Sequence, residues 1–430
     1  MKSESIVDLN DKERITDTKP WFFLHKENGW LDRFTRRSVL RLASQIQLGA
    51  LVLQDDDETF YFGQDTATAT LVARINIHDT RCYRTVFLGG STGAGEAYIE
   101  GWWSCDDLAK LVRIFIMNTD VFFGIDKGWA RFMEPFNKVF HWLHRNTITG
   151  SRKNISAHYD LGNDFYALFL DETMAYSSAY FNDDNASLKA ASIEKIDRLC
   201  RQLKLSSDDH LLEIGTGWGA LAIHAAQTYG CRVTTATISA EQYYFTLEKV
   251  QALGLDDKIT ILFEDYRKIR GTFDKIVSVE MLEAVGHAYY PTFFSHCSKL
   301  LKPSGLMALQ TITIKDQQYE ASKNYVDYVK RYIFPGGCLP SVTALCHVMN
   351  RHTDFALVRL EEFGHHYART LRIWRERFLG NLDKVKALGY DDKFTRLWEY
   401  YLAYCEAAFT ERHIGVVQLL FARPEYRHDM

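Results

Sequence analysis

A short apolar run that ends in three alternating glycines constrains the fold of this chain most strongly. The run extends from Leu211 to Gly219 and reads Leu-Leu-Glu-Ile-Gly-Thr-Gly-Trp-Gly, and a second apolar stretch follows from Ala220 to Ala226. This order predicts a buried strand, a tight turn and a helix. Glycines let a ligand lie directly on the backbone, and the start of the next helix offers unpaired N–H groups. The turn therefore predicts a site for a small polar cofactor.

Glycine turns of this kind also bind nucleotide cofactors, and some serve only close packing. Two later strands separate these alternatives. The strand from Arg232 to Ile238 delivers Thr237, where a dinucleotide site or an ordinary methyltransferase has a ribose-binding carboxylate. The strand from Lys258 to Phe263 is followed by Asp265 and Tyr266, which suit an adenine amine and an adenine ring. An adenosyl group fits this pattern better than a pyrophosphate.

Three stretches together resemble the S-adenosylmethionine site of the cyclopropane-fatty-acyl-phospholipid synthase family. They are residues 211–219, Thr237-x-Ser239-x-x-Gln242 and Asp265-Tyr266-Arg267, and further similarity covers residues 95–424. The resemblance implies S-adenosylmethionine as the cofactor. The residues that match the family's cofactor contacts are Tyr176, Ser177, Glu213, Gly215, Gly217, Gly219, Thr237, Gln242, Asp265 and Tyr266.

The resemblance also implies a reaction, which is the transfer of a methylene unit to the cis double bond of an acyl chain in a membrane phospholipid. The alkene attacks the sulfonium methyl, a carbocation forms, and a base removes a proton as the cyclopropane ring closes. In the family this base is a bicarbonate ion held by a carboxylate, a tyrosine and neighbouring loops. The matching residues here are Glu283, Tyr367 and Ile312. A sulfonium methyl is already electrophilic, so no metal is expected.

Two positions depart from the family pattern. Gln310 stands where better-known members have histidine, and Ser178 stands where they have cysteine. Both replacements form hydrogen bonds, so we expect the bicarbonate site to be retained without a histidine-dependent proton path. Cys405 matches a late cysteine of the family, and a buried helix thiol without a chemical role is the alternative. For Glu283 the alternative is a carboxylate that only caps a helix.

The length of 430 residues predicts two domains. We expect an N-terminal α+β lipid-associated domain over residues 1–146 and a methyltransferase catalytic domain over residues 147–430. The fold class is α/β, with a seven-stranded Rossmann-like methyltransferase sheet and the smaller N-terminal α+β domain. The last two strands, 354–360 and 415–421, are expected to pair antiparallel at the edge. Residues 315–350 interrupt the alternation of strand and helix, which predicts a lid or a substrate wall.

The N-terminal region begins with a helical pattern from Leu31 to Leu48. Its basic residues suit either contact with anionic lipid or a solvated helix face, and they are Arg33, Arg36, Arg37 and Arg41. Four strands are predicted as a small antiparallel layer at residues 49–53, 59–62, 69–77 and 83–89. Helices over 108–123 and 128–145 and a linker over 145–153 are expected to follow.

The amino-acid composition limits the kinds of molecule that this protein is expected to bind. The net charge of −4 is nearly neutral and gives no argument for nucleic acid. Eight cysteines without a C-x-x-C pattern indicate neither a zinc site nor a disulfide framework, and favour a reducing cytoplasm. The expected partner is the surface of a phospholipid bilayer with unsaturated acyl chains, contacted peripherally at its inner face, and a homodimer remains open. The alternatives are a related N- or C-methyltransferase and a non-catalytic lipid-binding protein.

Overall fold

The structure is a computed structural model that describes residues 29–119 and 161–427. Its first sheet has the strand order β2-β1-β3-β4. The strands are β1 (Ala50–Asp55), β2 (Glu58–Gly63), β3 (Val72–Ile77) and β4 (Trp103–Cys105). Three helices belong to this region, α1 (Trp30–Ala43), α2 (Arg81–Ile99) and α3 (Leu108–Met117).

Three predictions for this region are wrong. Residues 83–89 lie in α2 rather than in a strand, because burial of Tyr83 and its hydrogen bond to Asp55 Oδ2 (2.7 Å) outweigh the strand propensity of the segment. The sheet is mixed rather than antiparallel, since β1 pairs parallel with β3. Arg36 does not belong to an open basic face, because it donates to Asp55 and Glu58. The predicted segments 128–145 and 145–153 lie outside the described residues.

The second sheet confirms the predicted seven-stranded α/β fold. Its order is β10-β11-β9-β8-β5-β6-β7, and the antiparallel strand β11 lies between β9 and the edge strand β10. The strands are β5 (His210–Ile214), β6 (Arg232–Thr237), β7 (Ile259–Phe263), β8 (Phe273–Val279), β9 (Leu301–Ile314), β10 (Ala356–Glu362) and β11 (Ile414–Ala422). The five strands from β5 to β9 are paired in parallel.

Helices cover the two faces of this sheet and build the segments around its carboxyl edge. They are α4 (Asn163–Ala167), α5 (Leu188–Gln202), α6 (Ala220–His224), α7 (Ala240–Ala252), α8 (Leu282–Val285), α9 (Tyr290–Leu300), α10 (Asp316–Asn324), α11 (Tyr328–Tyr332), α12 (Val342–His352), α13 (Gly364–Gly380), α14 (Leu382–Ala387) and α15 (Asp392–Thr410). The glycine turn follows β5, and a pair of glutamates follows the adjacent strand β8. Ligands of open parallel sheets bind at such neighbouring strand ends.

An apolar cluster connects the two sheets. Buried residues of α2 and α3 belong to the same cluster as the buried rings of α13 and α15. Tyr98 of α2 donates a 2.8 Å hydrogen bond to Glu399 of α15, and its ring lies 5.8 Å from that of Tyr400. The division at residues 146 and 147 lies outside the described residues and stays a prediction. Among the described residues, no helix is both long enough and apolar enough to cross a bilayer.

Candidate active site

The glycine turn combines two different uses of glycine. Gly215, Gly217 and Gly219 have φ angles of +101°, +52° and +83°, a region that L side chains rarely adopt. A Cβ at Gly219 would lie 2.6 Å from Thr246 Cγ2, so this glycine allows the turn to pack. A Cβ at Gly217 would meet no described atom within 4 Å, and Gly217 lines a cavity. The middle glycine therefore leaves its backbone open to a ligand.

A buried acid and a buried base lie beside this turn. The Thr235 hydroxyl lies 2.6 Å from Glu213 Oε2 and 2.7 Å from the Thr216 hydroxyl. Burial raises the pKa of Glu213 to about 8, although the bond from Thr235 and the charge of Lys195 act in the opposite direction. Lys195 donates to Ser177 Oγ at 2.6 Å, and burial lowers its pKa. Sequence reasoning missed Lys195, because a lysine inside a helical pattern carries no signal of burial.

The next two strand ends place the predicted adenosyl contacts on the same cavity. Thr237 donates a 2.8 Å hydrogen bond to Gln242, and both side chains line the cavity. Asp265 accepts from Arg267 at 2.6 and 2.8 Å; burial alone would raise the pKa of Asp265, but these bonds hold it below its ordinary value. The Tyr266 hydroxyl has no hydrogen-bond partner among the described residues and belongs to the cavity lining. These groups fit a polar cofactor.

The segment before β5 packs over the glycine turn. Trp218, in the turn itself, donates a 2.7 Å hydrogen bond to Asn163 of α4. Tyr176 stacks on Trp374 with ring centroids 5.3 Å apart, and its hydroxyl lies 2.9 Å from that of Tyr401. Tyr176 and Ser177 both line the cavity. That Tyr176 and Ser177 contact the cofactor stays a prediction.

The cavity is large and reaches far beyond the glycine turn. Its volume is about 1240 Å³, compared with roughly 300–1,000 Å³ for typical ligand pockets. One part of its wall comes from α1, α2 and α3, through residues such as Leu42, Phe87 and Phe115. Another part comes from the insertion after β9, through residues such as Val329 and Phe334. The insertion therefore forms a wall of the cavity, as the sequence predicted.

Glu283 follows β8 and faces this cavity. Its Oε1 accepts hydrogen bonds from the Thr311 hydroxyl (2.9 Å) and from the backbone N–H of Ile312. Its Oε2 has no partner among the described residues. Burial, followed by the charge of Glu280, raises the pKa of Glu283 to about 8. The surroundings of Glu283 therefore favour its protonated form.

Glu280 accepts hydrogen bonds from two groups that the sequence analysis assigns to a small anion. Its Oε1 accepts from the Ser178 backbone N–H (2.9 Å) and from Gln310 Nε2 (2.7 Å). Its Oε2 accepts from the Tyr367 hydroxyl at 2.8 Å. The carbonyl oxygen of Gln310 is also engaged, because it accepts from Gln418 at 3.0 Å. Tyr367 and Gln310, which were expected to serve an ion beside Glu283, therefore donate to Glu280 in this structure.

The residues present do not fit a bicarbonate ion. Of the groups expected to hold it, the Ile312 N–H, the Gln310 amide and the Tyr367 hydroxyl each donate to a glutamate, and the Ser178 hydroxyl donates to the Ala179 carbonyl. A second anion would have to displace a side-chain carboxylate. The signal in the sequence is Val-Glu-Met-Leu-Glu at the end of β8, where Glu280 precedes Glu283 by three residues.

Cys405 lines the same cavity from α15. Burial raises its pKa well above the ordinary value, so it remains a thiol at neutral pH. A thiol is a weak acid–base group and a weak nucleophile compared with a thiolate. A chemical role for Cys405 stays a prediction.

The geometry of Gly217 gives a direct test of the cofactor site. Gly217→Val would place a branched side chain in the open space above the turn, so affinity for S-adenosylmethionine should fall by at least about tenfold, or about 1.4 kcal/mol. Calorimetry measures this affinity. Gly254→Val is the matched control, since Gly254 also has a positive φ (+64°) and no described atom within 4 Å of its Cβ. Equal affinity in the Gly217 variant and the parent would contradict the placement of the site.

The raised pKa of Glu283 predicts a pH-dependent stability. The folded chain keeps the proton up to a pKa of about 8, whereas the unfolded chain loses it near 4.5. This contribution to stability is fully present below the unfolded pKa and is lost as pH rises through the folded one. Glu283→Gln cannot ionise, so its melting temperature relative to the parent should rise between pH about 4.5 and about 8 and stay level above that. The exposed Glu248, changed to Gln, is the control, and a difference that is constant with pH would contradict the assignment.

Comparison with known proteins agrees with this geometry. The family model of mycolic acid cyclopropane synthetase matches residues 146–419. The tuberculostearic acid methyltransferase UfaA1 of Mycobacterium tuberculosis (strain ATCC 25618 / H37Rv) is 39% identical over 78% of this chain and 79% of its own. The cyclopropane-fatty-acyl-phospholipid synthase of Escherichia coli (strain K12) is 37% identical over 82% of this chain and 88% of its own.

A solved structure extends the comparison to three dimensions. The mycolic acid cyclopropane synthase CmaA1, complexed with SAH and CTAB, has a TM-score of 0.60 at 31% identity, over 63% of this chain and 98% of its own. The chain belongs to the mycolic acid cyclopropane synthetase family and is an S-adenosylmethionine-dependent methyltransferase.

Proposed function

We propose that this enzyme transfers a methylene unit from S-adenosylmethionine to the cis double bond of an unsaturated acyl chain in a membrane phospholipid, which forms a cyclopropane ring. The observation that carries the proposal is the cavity. It joins the open glycine turn, two carboxylates and a long apolar wall in one space of about 1240 Å³. A cofactor, a proton acceptor and an acyl chain are the three components that this reaction requires.

The cavity wall supports an acyl chain as the substrate. Residues of α1, α2 and α3 that face the cavity are mainly aliphatic or aromatic, and they include Val39, Leu42, Phe87, Leu111 and Phe115. An acyl chain drawn from a bilayer loses apolar surroundings and has to regain them inside the protein, which this wall provides. Polar groups line the cavity near the turn after β5 and the end of β8, and further ones come from the insertion after β9, such as Gln318, Asp327 and Lys330.

The polar end of the cavity supports methyl transfer to an alkene. S-adenosylmethionine supplies an electrophilic methyl group at the glycine turn. The contacts that we propose for it are Tyr176, Ser177, Glu213, Gly215, Gly217, Gly219, Thr237, Gln242, Asp265 and Tyr266. The rings of Phe334, Tyr367 and Tyr401 line the same cavity and would stabilise a carbocation by roughly 0.5–2 kcal/mol each. An enclosed apolar wall also keeps water from the cation.

A second candidate follows from the relative UfaA1, whose name describes a tuberculostearic acid methyltransferase. Methyl addition and cyclopropane formation share the same first step, the attack of the alkene on the methyl group. They diverge at the carbocation, since ring closure requires loss of a proton from the new methyl, whereas a saturated methyl branch requires a hydride donor. The carboxylates beside the cavity favour proton removal.

Expression in a host without cyclopropane lipids tests the proposed reaction. Mass spectrometry of total lipids should show a gain of one CH₂ on phospholipids with monounsaturated chains, and proton NMR should show cyclopropane protons. The Gly217→Val variant serves as the control for dependence on the cofactor site. A gain of CH₂ plus two hydrogens would favour the methyl branch instead. No new lipid in cells that contain folded protein would contradict both candidates.

We further propose that α1 contacts the inner face of the membrane. Trp30 and Phe34 are 74% and 52% exposed, and Arg33, Arg37 and Arg41 are exposed on the same helix. The opposite side of α1 lines the cavity through Val39, Leu42 and Ala43. A lipid held at α1 would therefore lie next to the apolar wall. A homodimer stays a prediction.

Vesicle binding tests this contact. The joint change of Arg33, Arg37 and Arg41 to Gln should weaken co-sedimentation with anionic vesicles, because each basic residue near such a surface contributes about 1 kcal/mol. Binding to neutral vesicles should change little, and added salt should weaken the parent toward the variant. The control is a second triple variant, in which three exposed basic residues away from α1 are changed to Gln: Lys189, Arg232 and Lys384. Equal loss in both triple variants would contradict the role of α1.

A further inference from the structure

We propose that the side chain of Glu280 is the base of this enzyme and takes the place of the bicarbonate ion used in the resembling family. The inference deepens the proposed cyclopropane reaction and rests on it. In the step assigned here, the Glu280 carboxylate removes the proton from the transferred methyl group while the ring closes.

The hydrogen bonds of Glu280 carry the proposal. Three donors from three separate segments converge on its two oxygens: the Ser178 backbone N–H, the Gln310 amide and the Tyr367 hydroxyl, at 2.7–2.9 Å. Ser178 and Gln310 are fully buried, and Tyr367 is 6% exposed. Glu280 itself lines the cavity next to Met281 and Glu283. A carboxylate held in this way faces the space in which the substrate is proposed to react.

The backbone of Glu280 gives an independent observation. Its φ angle is +48°, a left-handed conformation that residues other than glycine rarely adopt. Such a conformation costs of order 1–3 kcal/mol and persists only where surrounding structure holds it. Here the conformation directs the side chain from the end of β8 into the ring of donors. If the side chain at position 280 had no role, glycine would be the expected residue at this φ angle.

The neighbouring groups favour a charged Glu280 beside a neutral Glu283. Burial raises the pKa of Glu280, but the charge of Lys195 and the three hydrogen bonds oppose this rise. Glu283 receives two donors, and its pKa is raised to about 8. Two close carboxylates do not both ionise readily, and the three donors on Glu280 against two on Glu283 favour Glu283 as the place of a shared proton. Glu280 is then the member that is free to accept a proton.

The step balances without another reactant. The π electrons of the alkene form a C–C bond to the methyl carbon, while the C–S bond breaks and its electron pair goes to sulfur. One C–H bond of the new methyl then breaks, and its electron pair forms the second C–C bond to the cationic carbon. The proton goes to the Glu280 carboxylate and later to solvent. The products are a cyclopropane, S-adenosylhomocysteine and one proton.

Two substitutions at this position test the proposal in opposite ways. Glu280→Gln keeps the shape and removes the base, so kcat should fall by about 10²- to 10⁴-fold while affinity for S-adenosylmethionine and the KM for phospholipid vesicles change little. The longer-lived cation should also yield methylated alkenes or alcohols in place of the ring. Glu280→Gly relieves the backbone strain and frees the three donors. This variant should be slow in bicarbonate-free buffer and should recover when bicarbonate is added.

The parent and a matched control complete the experiment. The parent should form cyclopropane lipids at the same rate with and without bicarbonate. Glu399→Gln is the control, because Glu399 also accepts a tyrosine hydroxyl (Tyr98, 2.8 Å) and also has a pKa raised by burial, but does not line the cavity. Its kcat should remain within a few-fold of the parent.

The outcomes separate this inference from the proposed function. A parent that forms cyclopropane lipids only with bicarbonate, or a Glu280→Gln variant with parental kcat, would overturn the role of Glu280 and leave the reaction standing. A parent that forms no cyclopropane lipid, although it binds S-adenosylmethionine, would overturn both. Recovery of the glycine variant by bicarbonate, together with a parent that does not respond to it, would support the substitution of a side chain for the ion.

Discussion

The arrangement of this site depends on the cost of placing carboxylates in an apolar cavity. A carboxylate removed from water is stable only if hydrogen bonds and opposite charge replace its hydration. Glu280 has three donors and the nearby charge of Lys195, whereas Glu283 has two donors and one oxygen without a described partner. This difference in donors explains why the surroundings of two glutamates only three positions apart favour different protonation states. The cost of burying a carboxylate also explains why donors from β9, α13 and the segment before α5 converge at the end of β8.

The topology of the sheet brings these donors together. β5 and β8 are neighbours and parallel, so the glycine turn and the glutamate pair emerge at the same edge. β9 pairs with β8 on the other side and supplies Gln310, Thr311 and the N–H of Ile312. The long insertion after β9 then closes the cavity from above this edge. The proposed positions of the cofactor, the base and the substrate wall thus follow from strand order.

The sequence predicts the parts of this structure that local patterns determine. Alternating apolar segments and the glycine turn give the sheet, its strand ends and the residues that line the cofactor part of the cavity. Hydrogen bonds between side chains that are far apart in the sequence cannot be predicted from such local patterns. The contacts of Tyr367 and Gln310 with Glu280 join residues 87 and 30 positions apart, and no local pattern distinguishes Glu280 from Glu283. For the same reason the sequence did not predict the ion pairs of Arg36, whose partners Asp55 and Glu58 lie on the strands β1 and β2.

The apolar wall affects both charged groups of the proposed reaction, the Glu280 carboxylate and the substrate carbocation. It disfavours an ionised carboxylate, which raises the proton affinity of Glu280 and makes it a stronger base toward the substrate. It also excludes water, which would otherwise capture the carbocation before the ring closes. A base held on the protein has a further consequence in such a cavity, since it need not enter or leave with each substrate. The left-handed backbone at Glu280 has a local cost in free energy. In the proposed mechanism this conformation holds the base on the protein, so that no diffusing ion takes part in the chemical step.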